Sequence, residues 1–184
     1  MDNGASSYRR FQQGDKDAIA LIIHDYKDGL ILYLYRFTGD ITLAEELAED
    51  TFVRIYARKP RFSGKSSFKT WLYAIGRHTA LDYIKKNRLR KAASLDECEG
   101  LAAVGDLERS YVRKEQSEQA RYAMSRLKSE YRQVLWLMFS EELSTAETAR
   151  IMGKSKKQIG NLVYRAKKAL RTELEKEGFC YEEL

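Results

Sequence analysis

The stretch from Ser144 to Arg171, STAETARIMGKSKKQIGNLVYRAKKALR, restricts the fold more than any other part of the chain. Ser144 is followed three residues on by Glu147, and Ser155 by Gln158. Each pair has the spacing of a capping box, in which the serine and the Glu or Gln satisfy each other's backbone donors at a helix start. Gly153 lies between the boxes and suits a tight turn. The first helix turns Ala146, Ala149, Ile151 and Met152 towards a partner. In the second, Ile159, Leu162, Val163, Ala166 and Leu170 form an apolar stripe at helical spacing. Two short helices joined in this way match a helix-turn-helix. The other face of the second helix carries Lys156, Lys157, Gln158, Asn161, Tyr164, Arg165, Lys168 and Arg171, and no acidic residue occurs between Lys154 and Arg171. Lys and Arg neutralise phosphates, while Gln and Asn pair with base edges. A solvated basic face on a helical hairpin is the plainer reading. The doubled caps and the unbroken basic face favour DNA.

The rest of the composition agrees with an all-α chain. One proline in 184 residues leaves room for long helices, and 43% hydrophobic content supports one large or two small cores. A net charge of +6 favours an anionic partner. Cys98 and Cys180 lie far apart, and with only two histidines no zinc spacing exists, so no metal and no cofactor are expected. Two free thiols fit a reducing cytosol. No signal core or membrane-length apolar run is present, which points to a cytoplasmic protein with no membrane insertion of its own.

Taken in order, the chain opens with little pattern beyond Tyr8 and Phe11. Asp15 can cap a helix carrying Ile19, Ile22, Ile23, Tyr26, Leu30, Tyr33, Leu34 and Phe37, which Gly39-Asp40 breaks. The next segment buries Leu43, Leu47, Phe52 and Ile55. Between Asp40 and Asp50 it has five acids, Asp40, Glu45, Glu46, Glu49 and Asp50, and no base. The helix dipole accounts for the acids near the start; the others make a negative face on a basic protein. Pro60 ends this helix. The loop RFSGKSSFKT sets Phe62 and Phe68 around small polar residues and Lys65. A further helix places Trp71, Leu72, Ile75, Leu81 and Ile84 inward, with Trp71 largely core. From Arg77 to Lys91 it holds six Lys/Arg against Asp82 alone. Aromatics beside a basic helix suit an unpaired nucleic-acid strand. Residues 92–115 lack a sustained stripe and read as a linker. Helical periodicity returns with Ala120, Met124, Leu127, Tyr131, Val134, Leu135, Leu137, Met138 and Phe139.

An acidic helix, an aromatic loop, a basic helix, a linker and a helix-turn-helix follow one another. In that order LAEELAEDTFVRIY, FSGKSSFKTWLYAIGRHTALDYIKKNR and YRQVLWLMFSEELSTAETARIMGKSKKQIGNLVYRAKKALR resemble the small extracytoplasmic-function sigma factors of bacterial RNA polymerase. The resemblance covers Asp15 to about Glu175. It implies two small helical domains: residues 1–91 as sigma region 2, residues 92–115 as the linker, and residues 116–184 as sigma region 4. It implies a protein that binds core RNA polymerase, through the β′ clamp and β subunits, and delivers it to promoter DNA. Glu46, Glu49, Asp50 and Arg54 fall where the family contacts the clamp. Phe62, Ser63, Gly64, Lys65, Ser66, Ser67 and Phe68, with Arg77, His78, Lys85, Lys86 and Arg88, fall where it reads and melts the −10 element. Ser155, Lys156, Lys157, Gln158, Asn161, Tyr164, Arg165 and Lys168 fall where it reads the −35 element. The family is often held inactive by an anti-sigma factor.

Three departures from the family pattern stand out. Glu49-Asp50 stands where Gln-Glu is common, which makes the clamp contact more electrostatic. His78 stands where Asn is frequent. Gly160 replaces a common Lys inside the recognition helix, at a cost in helix stability. An autonomous helix-turn-helix regulator, binding an operator without polymerase, is the nearest alternative, but it has no need of the acidic helix or the aromatic loop. Glu45, Glu46 and His78 have no nucleophile, phosphate loop or metal spacing beside them, so an enzyme is not expected.

Overall fold

The computed structural model describes residues 3–93 and 118–176, all of them helix, turn or loop. The linker expected over 92–115 and the tail from 177 fall outside these residues, except that Ala92 and Ala93 close a helix. The N-terminal domain has four helices: α1 (Asn3–Gln12), α2 (Ala18–Thr38), α3 (Ile41–Arg58) and α4 (Phe68–Ala93). The C-terminal domain has α5 (Glu118–Ser125), α6 (Ser129–Leu135), a π turn (Trp136–Ser140), α7 (Thr145–Met152) and α8 (Lys156–Lys176).

The breaks fall where the local chemistry requires them. Asp15 Oδ1 accepts from the backbone N–H groups of Asp17 and Ala18 and so opens α2. Gly39 closes α2 in the left-handed conformation, and the Asp40 side chain accepts from Leu43 N at 3.2 Å to start α3. Lys59 is left-handed before Pro60 and ends α3. Helix α1 forms where the sequence has little pattern beyond Tyr8 and Phe11. In α1, Tyr8 and Phe11 are fully buried, and Tyr8 donates to the Pro60 carbonyl at 2.6 Å. Burial of this phenol raises its pKa to about 12.

Helix α2 is the axis of the molecule. Every residue from Leu30 to Arg36 is buried, which is expected of a helix covered on all sides rather than on one stripe. Helices α1, α3 and α4 cover it from the N-terminal domain, and α6 with the π turn covers it from the C-terminal one. Gly76 allows the close approach of α4, since a Cβ there would lie 2.8 Å from Leu30 Cδ1. The last-turn carbonyls of α2 find donors across the domain boundary. Ser129 Oγ donates to Phe37 O at 2.9 Å, and Arg132 Nε donates to Arg36 O at 3.1 Å. They thereby satisfy acceptors that a helix end leaves open. The Arg36 guanidinium lies 4.9 Å from the Trp136 ring centroid, also across the boundary.

Because Leu34 is wholly inside this shared core, Leu34→Ala is expected to cost about 2–5 kcal/mol, with loss of both domains in one transition. Urea unfolding followed by tryptophan fluorescence and by far-UV circular dichroism checks it. Two separated transitions, with only one of them shifted, would show that the domains unfold independently.

Candidate nucleic-acid and partner interfaces

Helix α3 buries Ala44, Leu47, Ala48, Thr51, Phe52 and Ile55 and turns Glu46, Glu49, Asp50 and Val53 outward. This i, i+3, i+4, i+7 spacing puts the three carboxylates and Val53 on one stripe. None of the three carboxylates is in an ion pair among the described residues. Val53 is 63% exposed at the end of the stripe, and Tyr56 is also exposed, with its ring centroid 5.6 Å from Phe11. An apolar side chain on an outward position is the signal that could have placed Val53 in the site from sequence. Arg54 stands apart from the stripe. Its guanidinium reaches Asp82 of α4 at 3.2 Å and ties the two helices together.

The loop between α3 and α4 rests on an aromatic floor. Phe68 is fully buried, with Tyr8, Tyr26, Phe62 and Trp71 within 5.6 Å between ring centroids. It therefore supports the loop from below and presents no open ring. Phe62 is half-buried against Phe68 and Trp71. Ser63, Gly64 and Lys65 are exposed, and Ser66 and Ser67 are half-buried. Ser67 Oγ accepts from Thr70 N at 3.2 Å and caps α4.

On α4, His78, Lys85 and Lys86 are exposed. His78 Nδ1 lies 2.7 Å from the Ala74 carbonyl, an acceptor, so this nitrogen carries the proton and Nε2 is left for a partner. Arg77 turns inward instead, with its guanidinium 5.8 Å from the Phe37 ring. The side chain of Arg88 lies outside the described ones.

Both capping boxes of the helix-turn-helix form. Ser144 Oγ accepts from Glu147 N, and the Glu147 carboxylate accepts from Ser144 N at 3.1 Å. Ser155 Oγ accepts from Gln158 N at 3.2 Å, and Ser155 N donates to Gln158 Oε1 at 2.8 Å. Between them Gly153 takes φ +64, a conformation costly for other residues. Ile159, Leu162 and Ala166 are buried, so the outward pole of α8 is Lys157, Asn161, Tyr164 and Lys168, with Lys156 at its start. Tyr164 is 70% exposed. Gly160 faces open space, so the helix backbone is bare there. Gln158 and Arg165 sit on the flank, where they line a shallow polar groove with Lys128, Ser129 and Lys154. The Gln158 side chain is thus a cap in this arrangement.

Both halves of this architecture match known protein families. The pattern described as Sigma-70 region 2 matches residues 22–90, and that described as Sigma-70, region 4 matches residues 117–170. The RNA polymerase sigma factor YlaC of Bacillus subtilis is 31% identical over 163 residues, which cover 88% of this chain and 94% of that protein. The chain belongs to the sigma-70 family, in its extracytoplasmic-function group. The ECF RNA polymerase sigma factor SigW of the same organism is 29% identical over 90% of this chain and 94% of that protein. The fold is also that of the sigma factor RpoE from Bartonella quintana, solved with the anti-sigma factor NepR. The TM-score is 0.71 at 20% identity, covering 86% of this chain and 98% of that one. CnrH, solved with the cytosolic domain of CnrY, gives a TM-score of 0.62 at 22% identity over 94% and 95% of the two chains. This sigma factor therefore directs promoter-specific initiation by core RNA polymerase, and the autonomous-regulator alternative falls away.

Proposed function

We propose the following division of labour among its surfaces. The α3 stripe of Glu46, Glu49, Asp50 and Val53 docks on the β′ clamp of core polymerase, where a negative face with an apolar end fits a basic partner. Arg54 acts behind it by holding α3 to α4. The 62–70 loop, with His78, Lys85 and Lys86, receives the −10 strand, and the outward pole of α8 enters the −35 major groove. Catalysis belongs to the polymerase, and the sigma factor itself carries no chemical step. Its place of work is the cytoplasm, and an anti-sigma partner belongs to the same reading. Among the described residues, no helix is long and apolar enough to cross a membrane.

The observation that carries this reading is the carboxylate stripe on α3, without an ion pair among the described residues and separate from both basic surfaces. In vitro transcription with core polymerase and this protein on a genomic fragment library tests it. Promoter-specific transcripts that appear with the wild type and vanish when the stripe is neutralised are expected. Transcripts indifferent to the stripe would remove the docking assignment.

The pole of α8 makes a finer prediction. Asn161→Ala is expected to relax base preference at one −35 position by about 1–3 kcal/mol. Lys168→Ala is expected to weaken all sequences alike and to lower the salt slope by about one ion. Gln158→Ala is expected to lose helix stability first, of the order of 1 kcal/mol, because the side chain caps Ser155. Binding of holoenzyme to a set of −35 variants at several salt concentrations separates the three. Full base discrimination by the Asn161 variant would demote that residue to a bystander.

A further inference from the structure

Helix α1 lies ahead of residues 22–90, the part of the chain matched to Sigma-70 region 2, yet it is fastened to the root of the 62–70 loop. The Tyr8 hydroxyl donates to the Pro60 carbonyl at 2.6 Å, and the Tyr8 ring centroid lies 5.0 Å from that of Trp71. Phe11 packs 5.6 Å from the Tyr56 ring and has the Lys59 ammonium 4.8 Å from its own centroid. These contacts join α1 to the last turn of α3 in one corner. Arg9, Arg58, Lys59 and Arg61 are exposed around it, and none of the four is in an ion pair among the described residues. No acidic residue occurs from Asn3 to Gly14 or from Thr51 to Leu81. The helix dipole favours cations in a last turn, which accounts for Arg9 and Arg58. It does not account for Arg61, which lies beyond the helix, nor for Tyr56, an aromatic side chain left 49% exposed beside these cations.

An open ring among cations suits a single strand, whose bases stack while Lys and Arg hold its phosphates. The corner is continuous with the loop, because Arg61 leads directly into Phe62. Helix α4 starts at the other end of the loop, carries Lys85 and Lys86 away from it and ends at Ala93, from which the chain runs on to the −35-reading domain. The α4 side therefore faces the −35 element, and the corner of α1 and α3 faces the transcription start. We infer that α1 and the end of α3 form a second single-strand contact, in which Arg9, Arg58 and Arg61 hold phosphates just downstream of the −10 element and Tyr56 stacks one of the bases. This inference rests on the −10 assignment of the loop. Lys59 has a different task, since its left-handed backbone ends α3 and its ammonium sits on Phe11. The opened strand is then gripped on both sides of the −10 loop, and each phosphate held releases counterions that add to the affinity.

The test uses holoenzyme assembled from core polymerase and the full chain. The probes are two fluorescein-labelled forks of a promoter recovered from the genomic library, followed by anisotropy. Both are duplex through the −35 element. Their single non-template strand ends at the last −10 nucleotide in the short fork and six thymidines farther downstream in the long one. Arg9→Gln/Arg58→Gln/Arg61→Gln is expected to bind the long fork at least tenfold more weakly than the wild type does, and the short fork within twofold of it. The salt slope on the long fork is expected to fall by about two ions, at roughly 0.7 per single-strand phosphate contact. Tyr56→Leu, which keeps an apolar side chain against Phe11, is expected to remove the preference for thymidines over abasic units in the tail. Long-fork affinity within twofold of the wild type overturns the inference. Equal losses on both forks, or a loss of affinity for core enzyme, also overturn it, because the arginines would then serve duplex or polymerase. Arg61→Gln alone, expected to lower the slope by about 0.7 ion, decides the matter where the triple variant is poorly folded. Failure of the −10 assignment shows elsewhere. Wild-type holoenzyme that binds the short fork no better than a duplex without the −10 strand would sink that assignment, whereas a clear short-fork preference with no effect of the arginines sinks only the corner contact.

Discussion

Reversing Glu46 and Asp50 to Lys is expected to weaken binding to core RNA polymerase by about a hundredfold or more, while the unfolding midpoint stays where it was. The size follows from like-charge juxtaposition across an interface, which costs several kcal/mol, with each tenfold worth about 1.4 kcal/mol. The unchanged midpoint follows from exposure: both side chains project from the outer face of α3, and exposed charges contribute about 0–1 kcal/mol to stability. Titration of labelled sigma factor with core enzyme measures the first quantity, and thermal denaturation the second. Unchanged core affinity would show that polymerase grips another surface. A lower midpoint would show that the stripe is structural.

The second large effect concerns strand opening. Replacing Ser63–Ser66 by a shorter Gly-Gly segment is expected to leave closed-complex formation intact and to reduce opening by about tenfold or more, as for loss of a base contact of 1–3 kcal/mol. The replacement stops before Ser67, whose hydroxyl caps α4. Removing that cap would destabilise the helix by about 1 kcal/mol and blur the result. It also leaves Phe62 and Phe68 in the aromatic floor, where their packing supports the whole domain. Permanganate reactivity of −10 thymines in complexes with the variant holoenzyme gives the answer. Normal reactivity, with a normal footprint, would mean that the loop receives no base.

These expectations differ in how far they could be drawn from the sequence. The capping boxes at Ser144 and Ser155, the break at Gly39-Asp40 and the apolar stripe of α8 depend on residues within a few positions of one another. Local hydrogen bonding and helical period dictate them, and the structure has them where the pattern places them. The acidic face of α3 was legible for the same reason, because its spacing alone sets three carboxylates side by side.

The tertiary structure decided what depends on distant partners. That α2 is buried on every side from Leu30 to Arg36 follows from two domains closing on it, which no window of its own sequence specifies. Helix α1 has only Tyr8 and Phe11 as a signal, and its place is set by Pro60 and the aromatic floor more than fifty residues away. Sequence position groups Arg54 with the polymerase stripe and Arg77 with the basic surface; packing sends one to Asp82 and the other to Phe37. The same holds for Glu147, which the sequence marks only as half of a capping box. A carboxylate has two oxygens, and only the closed packing of the domains brings Ser67 and Thr70 within reach of the second.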